Sequence, residues 1–529
     1  MTASHSAPPG HADQPHGYWQ HPALLGALIL LSALPVLIAD VAPLTDLPGH
    51  MGRYRVQLDL AHSEALQRFF RFEWALIGNL GIDLLVVPLA KLFGLEPAVK
   101  LIVTAIPVLT VWGFLLVARE VHGRIPPTAF FALPFAYGYP FMFGFVNFAL
   151  SMAFAFLAFG FWLHLARLDR LRLRAALFVP ISGLVWITHT FGWGALGVLA
   201  FSAELVRQVD QGRKLAGAGL RAALHSLALA PPILLMLFWR SGQVGGQTAD
   251  WFNWRAKWLW IQWVLRDRWE WFDLGAVVVV AALLVRALRS PRIEFSRNLA
   301  ASALFLSLVF LLLPRIIFGS AYADMRLVPY LLAVAVLAIR LKGEATLRFA
   351  NAAAAAALAF AAVRMGGTAA SFWLYDRDYD RQLAALDHVP EGARLVSFVG
   401  RKCGEDRASS RLEHLPAMAT VRRRAFTNDQ WTMAGAQLLS VHYPPGEPFV
   451  RDPSQVVTAL KCRYERWLPI AEALRRLPRE AFDYVWLINP PPYGPELVEG
   501  LEPVWRSGTS VLYRVVDRGP PGSAAEESE

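Results

Sequence analysis

Two neighbouring stretches near the amino terminus decide the fold class: the apolar run ALLGALILLSALPVLIA at residues 23–39, and the polar run TDLPGHMGR at residues 45–53. The first is about as long as a helix that crosses a bilayer, which takes roughly 17–25 residues. The second places the carboxylate of Asp46, the imidazole of His50 and the guanidinium of Arg53 where the chain leaves this helix. A proline and a glycine follow Asp46 closely, so we expect Asp46 in a turn or at the N-cap of a following helix.

Apolar runs of similar length recur along the chain. Of the 529 residues, 55% are hydrophobic and 17% are charged, whereas soluble domains carry about 25% charged residues. We therefore predict a polytopic α-helical membrane protein with about eleven transmembrane helices. The run at 23–39 is expected to be retained rather than removed as a signal peptide. The other predicted spans are 98–117, 128–145, 147–165, 175–187, 192–205, 222–239, 274–288, 299–317, 327–339 and 349–363.

The loops between the predicted spans alternate in charge. Arginine-rich clusters lie near residues 119–124, 167–174, 207–221, 286–297 and 340–348. By the positive-inside rule these loops are cytoplasmic, which places the other loops and the chain after residue 365 outside. We expect a multi-pass protein of the inner (cytoplasmic) membrane whose carboxy-terminal domain is periplasmic. The net charge of +10 comes mostly from these loops and does not indicate a nucleic-acid partner.

Composition also predicts the domain organisation. The expected parts are a disordered cytoplasmic amino terminus at 1–21, a transmembrane domain at 22–365 with a first outer loop at 40–97, an exported soluble α/β domain at 371–516, and a disordered tail at 517–529.

The exported domain shows strand and helix patterns. Residues 394–399, 484–488 and 510–515 are typical of strands, and 454–477 has the spacing of a helix. Cys403 and Cys462, the only cysteines, both lie in this domain. In an oxidising compartment a disulfide between them is the simplest interpretation, and two such ligands do not make a zinc site.

The first outer loop contains a candidate base. Asp46 could simply cap a helix. It could also act in catalysis, since His50, Arg53, Glu73 and Asp83 accompany it in the same loop. The sequence leaves both interpretations open.

Ionisable residues near the outer ends of later spans are candidates for an anion site. His189 interrupts an apolar stretch, and it either bonds to a backbone carbonyl or faces a polar cavity. Arg326, with Arg315 close by, could bind a phosphate through its planar fork, or it could form an ordinary loop bond with Asp324. The tryptophan-rich stretch at 241–273 indicates an interfacial helix, and it could also rim the site.

The layout resembles that of the C-type glycosyltransferase superfamily of integral-membrane enzymes. Its members have a first span, an outward loop with an acidic motif, many further spans and an exported domain. The run Asp46-Leu47-Pro48-Gly49-His50 is similar to the aspartate-containing first-loop motif of that group. It has no Asp-Glu or Asp-x-Asp pair, so no metal site is predicted, although a divalent cation is left open as a cofactor.

The resemblance implies a sugar donor linked to a polyprenyl phosphate, and an acceptor activated by the first-loop acid. In such a transfer one carboxylate takes the acceptor proton, and cations hold the leaving phosphate. The catalytic residues would be Asp46 and His50. The substrate- or phosphate-binding residues would be Arg53, His189, Arg315, Asp324 and Arg326.

We therefore predict a membrane glycosyltransferase that moves a sugar from a lipid-linked donor to an envelope glycan, lipid or protein at the outer face. Two other classes stay open: a transporter or flippase of a lipid-linked or anionic substrate, and a non-catalytic envelope assembly factor. The sequence shows no internal repeat of the kind found in many transporters. Membrane lipids are the other expected partners.

Overall fold

The computed structural model describes residues 17–238, 247–317, 319–342, 345–404, 410–432 and 437–519. Most of the predicted disordered ends therefore lie outside the described residues. Contacts divide the chain into two compact units. Unit 1 comprises Met1–Ile38, Leu76–Ile82 and Ile102–Ala370, and unit 2 comprises Ala39–Ala75, Asp83–Leu101 and Ser371–Glu529.

Long apolar helices dominate the membrane part of the chain. Within the described residues, the helices long and apolar enough to cross a membrane are Leu95–His122, Val146–Arg167, Leu171–Thr188, Glu270–Arg289 and Leu347–His388. The pair Leu215–Leu229 and Pro231–Leu237, bent by 64°, would add one more span. Shorter apolar helices are Pro22–Leu31, Arg297–Leu312 and Met325–Leu337. These helices make the protein a multi-pass membrane protein, while the count of eleven stays a prediction.

Prolines and glycines divide two of the predicted spans. The continuous helix predicted for 128–145 is wrong: the chain forms a 3₁₀-helix at Pro127–Tyr137 and a short α-helix at Tyr139–Phe143. Prolines in this stretch cannot donate a helical hydrogen bond, which favours short pieces. The run at 23–39 is likewise divided into Pro22–Leu31 and Leu34–Ile38.

Two helices of unit 1 meet at His189. Leu171–Thr188 ends there and Thr190–Asp210 begins there, because His189 takes an extended backbone conformation with φ −167° and ψ 133°. The loop before the helix Val328–Leu337 contains a 3₁₀ turn at Met325–Leu327. A small antiparallel pair, Ile293–Phe295 with Ile339–Leu341, completes this unit's regular structure.

Unit 2 is built on a six-stranded sheet. Its strand order is Leu468–Pro469, Val456–Thr458, Leu395–Gly400, Tyr484–Ile488, Ser510–Val515 and Leu501–Ser507. The first four strands are parallel, and the last two join by antiparallel pairing. The strands predicted at 394–399, 484–488 and 510–515 are therefore confirmed to within a residue.

The helix predicted at 454–477 is mostly wrong. This stretch contains the strands Val456–Thr458 and Leu468–Pro469, and only Ile470–Arg475 is helical. The β-branched residues at its start are buried in the sheet, so tertiary packing outweighed the helical charge spacing. The predicted disulfide between Cys403 and Cys462 is confirmed.

Most of the first outer loop belongs to the same compact unit as the sheet, except Leu76–Ile82, which belongs to unit 1. It forms the helices Leu47–Asp59, Glu64–Phe69 and Gly81–Phe93. The strand Phe70–Phe72 pairs antiparallel with Leu439–Val441. Val56 and Phe69 are buried in one hydrophobic core with Phe398 and Leu487 of the sheet. Burial of these apolar groups fixes the loop that carries Asp46.

Candidate active site

Asp46 lies directly before the helix Leu47–Asp59, as predicted. Its backbone has φ −90° and ψ −8°, and its side chain forms no capping hydrogen bond in the described structure. The backbone carbonyl of Asp46 accepts the N–H of His50 at 3.0 Å. Helix capping is therefore not the role of the Asp46 side chain in this structure.

A segment from the carboxy-terminal part of the chain packs on this helix. Gln430 Nε2 donates to the carbonyl oxygen of Gly49 at 3.1 Å. A Cβ atom at Gly49 would lie 2.6 Å from the Trp431 ring, closer than real side chains allow. Glycine at position 49 thus permits the close approach of Trp431.

This packing creates an acid–imidazole cluster, by which we mean Asp46, His414, Asp429 and Asp452. His414 Nε2 lies 3.8 Å from Asp46 Oδ1 and 3.8 Å from Asp452 Oδ1. His414 Nδ1 lies 3.1 Å from the carbonyl oxygen of Asp429. Thr427 donates to Asp429 Oδ1 at 2.6 Å. One imidazole therefore contacts carboxylates from separate parts of the chain.

The pKa values of His414 and Asp429 in this cluster are both raised above their ordinary values. Burial lowers the pKa of His414, but the carboxylates of Asp452, Asp46 and Asp429 outweigh it and raise the pKa above the ordinary value. Burial raises the pKa of Asp429 to about 6, against the opposing effect of His414. The raised pKa favours the cationic form of His414, which lies beside the carboxylates of Asp46 and Asp452.

His50 is held among aromatic rings. Its ring packs edge-on against Trp431 at 5.2 Å between centroids and lies 6.3 Å from the Tyr54 ring. His414 was missed by sequence reasoning, because it lies more than three hundred residues from Asp46 and no local pattern signals the contact. The sequence therefore found the acid but not the imidazole that the fold places beside it.

Arg53 and Asp83 form a buried ion pair. Arg53 Nη1 lies 2.6 Å from Asp83 Oδ1, and the two side chains are 1% and 0% exposed. A second contact joins Nη2 to Oδ2 at 3.3 Å. The Arg53 guanidinium thus pairs with a carboxylate of the same loop and connects the helix Leu47–Asp59 to the helix Gly81–Phe93. Glu73, another acid of the loop, is exposed.

In unit 1, Arg326 and His189 face each other. Arg326 Nη1 lies 3.5 Å from His189 Nε2. His189 Nδ1 accepts the backbone N–H of Phe191 at 3.1 Å, so the proton of a neutral ring is on Nε2. In that tautomer both facing groups are N–H donors, a combination that suits an anionic oxygen acceptor such as that of a phosphate.

Aromatic rings surround the Arg326 guanidinium. Its central carbon lies 4.3 Å from the Phe145 ring centroid, 5.5 Å from that of Phe191 and 5.9 Å from that of Phe148. Arg326 Nη2 also donates to Ser320 Oγ at 3.3 Å. This side chain is 8% exposed. Ring faces attract a cation through their quadrupoles, so these rings help to hold the guanidinium in place.

The carboxylate of Asp324 is used elsewhere. Lys257 Nζ lies 3.1 Å from Asp324 Oδ2, and Trp260 Nε1 donates to Oδ1 at 3.0 Å. Asp324 therefore fixes the tryptophan-rich helix Trp254–Gln262. Arg315 pairs with Asp250 at 3.3 Å. Within the described ranges, no group of three or more His, Cys, Asp or Glu residues is arranged to hold a metal ion.

Comparison with known proteins gives a likeness of fold. No protein-family model matches the sequence, and no curated protein matches it. The chain is similar to the crystal structure of ArnT from Cupriavidus metallidurans bound to undecaprenyl phosphate, at 14% identity and a TM-score of 0.49, over 95% of this chain and 100% of that chain. The apo structure of ArnT gives the same identity and TM-score over 93% and 97%. At these values the likeness describes general fold and says nothing about activity.

Proposed function

We propose that this protein is a membrane glycosyltransferase that moves a sugar from a polyprenyl-phosphate-linked donor to an envelope acceptor. The observation that carries the proposal is the approach of Arg326 Nη1 to His189 Nε2 at 3.5 Å, among aromatic rings and at the break between two helices. The transfer takes place at the outer face of the inner membrane, with the carboxy-terminal domain on the periplasmic side.

The donor phosphate binds at Arg326 and His189. As the bond between the sugar C1 and the phosphate oxygen breaks, negative charge develops on the leaving polyprenyl phosphate. A guanidinium and an imidazole N–H in apolar surroundings stabilise that charge better than water does, because they are already oriented. Arg315, which is half-buried and paired with Asp250, is the second candidate guanidinium on this side.

The acceptor is activated at Asp46. The acceptor hydroxyl or amine forms a bond to C1 while its proton passes to the Asp46 carboxylate. His414, whose pKa is raised by the surrounding carboxylates, lies beside Asp46, and His50 assists from the helix that follows Asp46. Arg53 and Asp83 act as positioning residues, because their buried pair fixes the helix that follows Asp46.

A transporter or flippase is the second candidate. The helix break at His189 supports it, since interrupted helices line the substrate sites of many transporters. The two functions differ in their products. A transferase forms a new glycosidic bond, whereas a flippase moves the lipid-linked sugar unchanged.

The test combines gene deletion with complementation. Deletion of the gene should remove a sugar from an envelope glycan and cause a polyprenyl-linked sugar to accumulate, as measured by mass spectrometry. Purified protein in proteoliposomes should then transfer that sugar, with and without a chelator to decide whether a divalent cation takes part. Complementation by Arg326→Lys should fail, while Arg340→Lys, a matched change in the Arg340–Glu294 pair, should succeed. Movement of the donor across the bilayer without a new glycosidic bond would contradict the proposal.

A further inference from the structure

The carboxyl ends of two parallel strands in unit 2 form a surface that the proposed catalytic groups do not occupy. Residues 401–404 follow the strand Leu395–Gly400, and residues 459–467 follow the strand Val456–Thr458. Because these strands are parallel neighbours, both segments leave the sheet at the same edge. The Cys403–Cys462 disulfide joins them. We name residues 400–404 and 458–467 the carboxyl-edge surface.

The carboxyl-edge surface is strongly basic. Its charged residues are Arg401, Lys402, Lys461, Arg463, Arg466 and the single acid Glu465. Arg401 pairs with Glu413, which lies outside this surface. In the part of the chain that the structure describes, the other four cations form no ion pair with a carboxylate.

Elsewhere in unit 2, arginines are commonly neutralised. Arg394 pairs with Asp483, and Arg451 pairs with Glu447 at 3.0 Å. Among the described residues of this surface, cations without a paired carboxylate lie close together in the chain, and such a concentration costs repulsion unless a partner of opposite charge binds there. The charge distribution therefore indicates an anionic ligand at this edge.

Exposed apolar groups alternate with these cations. Leu460 is 77% exposed and Tyr464 is 74% exposed, with Lys461 and Arg463 beside them in the chain. The Arg463 guanidinium lies 5.2 Å from the Tyr464 ring centroid. Cations that alternate with exposed apolar groups, one of them the ring of Tyr464, suit an acidic sugar chain. Such a chain offers both charged groups and apolar ring faces. A loop that inserts into a bilayer would instead group its apolar residues on one side.

The sheet edge itself favours ligand binding. Open α/β sheets bind ligands beyond the carboxyl ends of their parallel strands, at the point where the strand order reverses. In this sheet the order reverses at Leu395–Gly400, between Val456–Thr458 and Tyr484–Ile488, and residues 401–404 follow that strand. A Cβ at Gly400 would lie 2.1 Å from the carbonyl oxygen of Asn489, so the segment after the strand Tyr484–Ile488 approaches this edge closely. The disulfide holds the two basic segments together, which reduces the entropy lost when a ligand binds.

We propose that the carboxyl-edge surface binds an anionic glycan, meaning a saccharide that carries carboxylate or phosphate groups. The inference rests on the proposed transferase function for its biological meaning, because it names the chemical class of the acceptor. The cations Lys402, Lys461 and Arg463 contact the anionic groups, and Tyr464 packs against a sugar ring.

The test measures glycan binding by the full-length protein in detergent micelles, without any transfer reaction. The probes are oligogalacturonate, which carries carboxylates, a phosphomannan oligosaccharide, which carries phosphates, and neutral dextran. One or both anionic probes should bind, and dextran should not. Binding should weaken in 0.5 M salt, since screening shortens the range of these charges to a few ångströms. The triple variant Lys402→Gln, Lys461→Gln, Arg463→Gln should bind about tenfold more weakly.

A matched triple variant controls for net charge. Arg475→Gln, Arg476→Gln and Arg506→Gln remove the same number of exposed cations at other places in unit 2, and this variant should bind like the unchanged protein. The proposal would be overturned if both triple variants lost glycan binding equally. It would also be overturned if dextran bound as tightly as the anionic probes. Preferential binding to phosphatidylglycerol vesicles would assign the surface to the membrane instead.

The binding assay also separates this inference from the proposed function. Asp46→Asn should bind the anionic probe normally while it fails in transfer. The protein could fail to transfer sugar under every condition while the Lys402, Lys461 and Arg463 triple variant still binds the glycan more weakly than the unchanged protein. The proposed transferase function would then be wrong, and the glycan-binding site would be supported.

Discussion

Asp46 offers the most direct test among single side chains. If it is the base, Asp46→Asn should lower transfer by about 10²–10⁴-fold, because an amide cannot take the acceptor proton. Folding should persist, since Asp46 forms no capping bond to the helix that follows. The measurement is sugar transfer per unit of protein in the membrane.

Asp452→Asn is the matched control for that change. Asp452 and Asp46 each lie 3.8 Å from His414 Nε2. If Asp46 serves only to balance the charge of His414, the two asparagine variants should be equally impaired. A large loss confined to Asp46→Asn would support its role as the base.

The role of Arg326 can be tested with a lysine, which keeps the positive charge but lacks the planar guanidinium group. Arg326→Lys should lower kcat/KM for the donor by about 10²-fold, because a lysine cannot bind two phosphate oxygens at once. We expect normal abundance and normal thermal unfolding. Arg340→Lys should leave both kinetic constants unchanged, and equal losses in the two variants would contradict a phosphate contact at Arg326.

The acid–imidazole cluster predicts a pH dependence of stability. The pKa of Asp429 is raised to about 6 in the folded protein, above its unfolded value of about 3.9. The folded state therefore binds the proton more tightly, and this contribution to stability is present at low pH and is lost as pH rises from about 4 to 6. The raised pKa of His414 acts in the same direction above about pH 6.5.

The check is the apparent Tm of detergent-solubilised protein as a function of pH. Asp429→Asn should flatten the decline between about pH 4 and 6, because its amide does not titrate. His414→Gln should flatten the decline at higher pH. An unchanged profile in Asp429→Asn would show that this carboxyl group does not carry the effect.

The packing of the helix Leu47–Asp59 depends on a glycine. Gly49→Ala would place a methyl group 2.6 Å from Trp431, and such overpacking costs about 1–3 kcal/mol. We expect a lower Tm and reduced transfer, because the change displaces the segment that holds Asp429. Trp431→Phe in the same chain should restore part of the loss.

Gly183→Ala is the control for that helix position. Gly183 lies within the helix Leu171–Thr188, and a Cβ there would meet nothing within 4 Å. Alanine has the higher helix propensity, so this variant should be neutral or slightly more stable. Equal destabilisation by both alanines would show that the contact with Trp431 is not the cause.

The topology of the protein as a whole rests on its arginine-rich loops. If they are cytoplasmic, the carboxy-terminal domain is periplasmic. A reporter that is active only in the cytoplasm, fused after Val516, should be silent, and one that is active only in the periplasm should be functional. The reverse pattern would overturn the topology and the outer-face assignment of the transfer.

Local sequence determined the features that depend on composition and short-range pattern. Long apolar runs predict a multi-pass membrane protein, because each must be buried in lipid or protein. The strands at 394–399, 484–488 and 510–515 follow from β-branched and aromatic residues. The disulfide follows from the presence of only two cysteines in the sequence, both in the carboxy-terminal part of the chain. The position of Asp46 before a helix follows from the proline and glycine beside it.

Only the tertiary structure decided which distant residues meet. His414 lies beside Asp46 because two segments far apart in the chain pack on one helix, and no local pattern records that contact. Arg53 pairs with Asp83, and Asp324 pairs with Lys257, which lies more than sixty residues away in the chain. The 454–477 segment became strand because its buried valines gain more from the sheet than its charges gain from a helix. Burial and long-range packing outweigh local propensity at these places, which is why the sequence named the acid but not its partners.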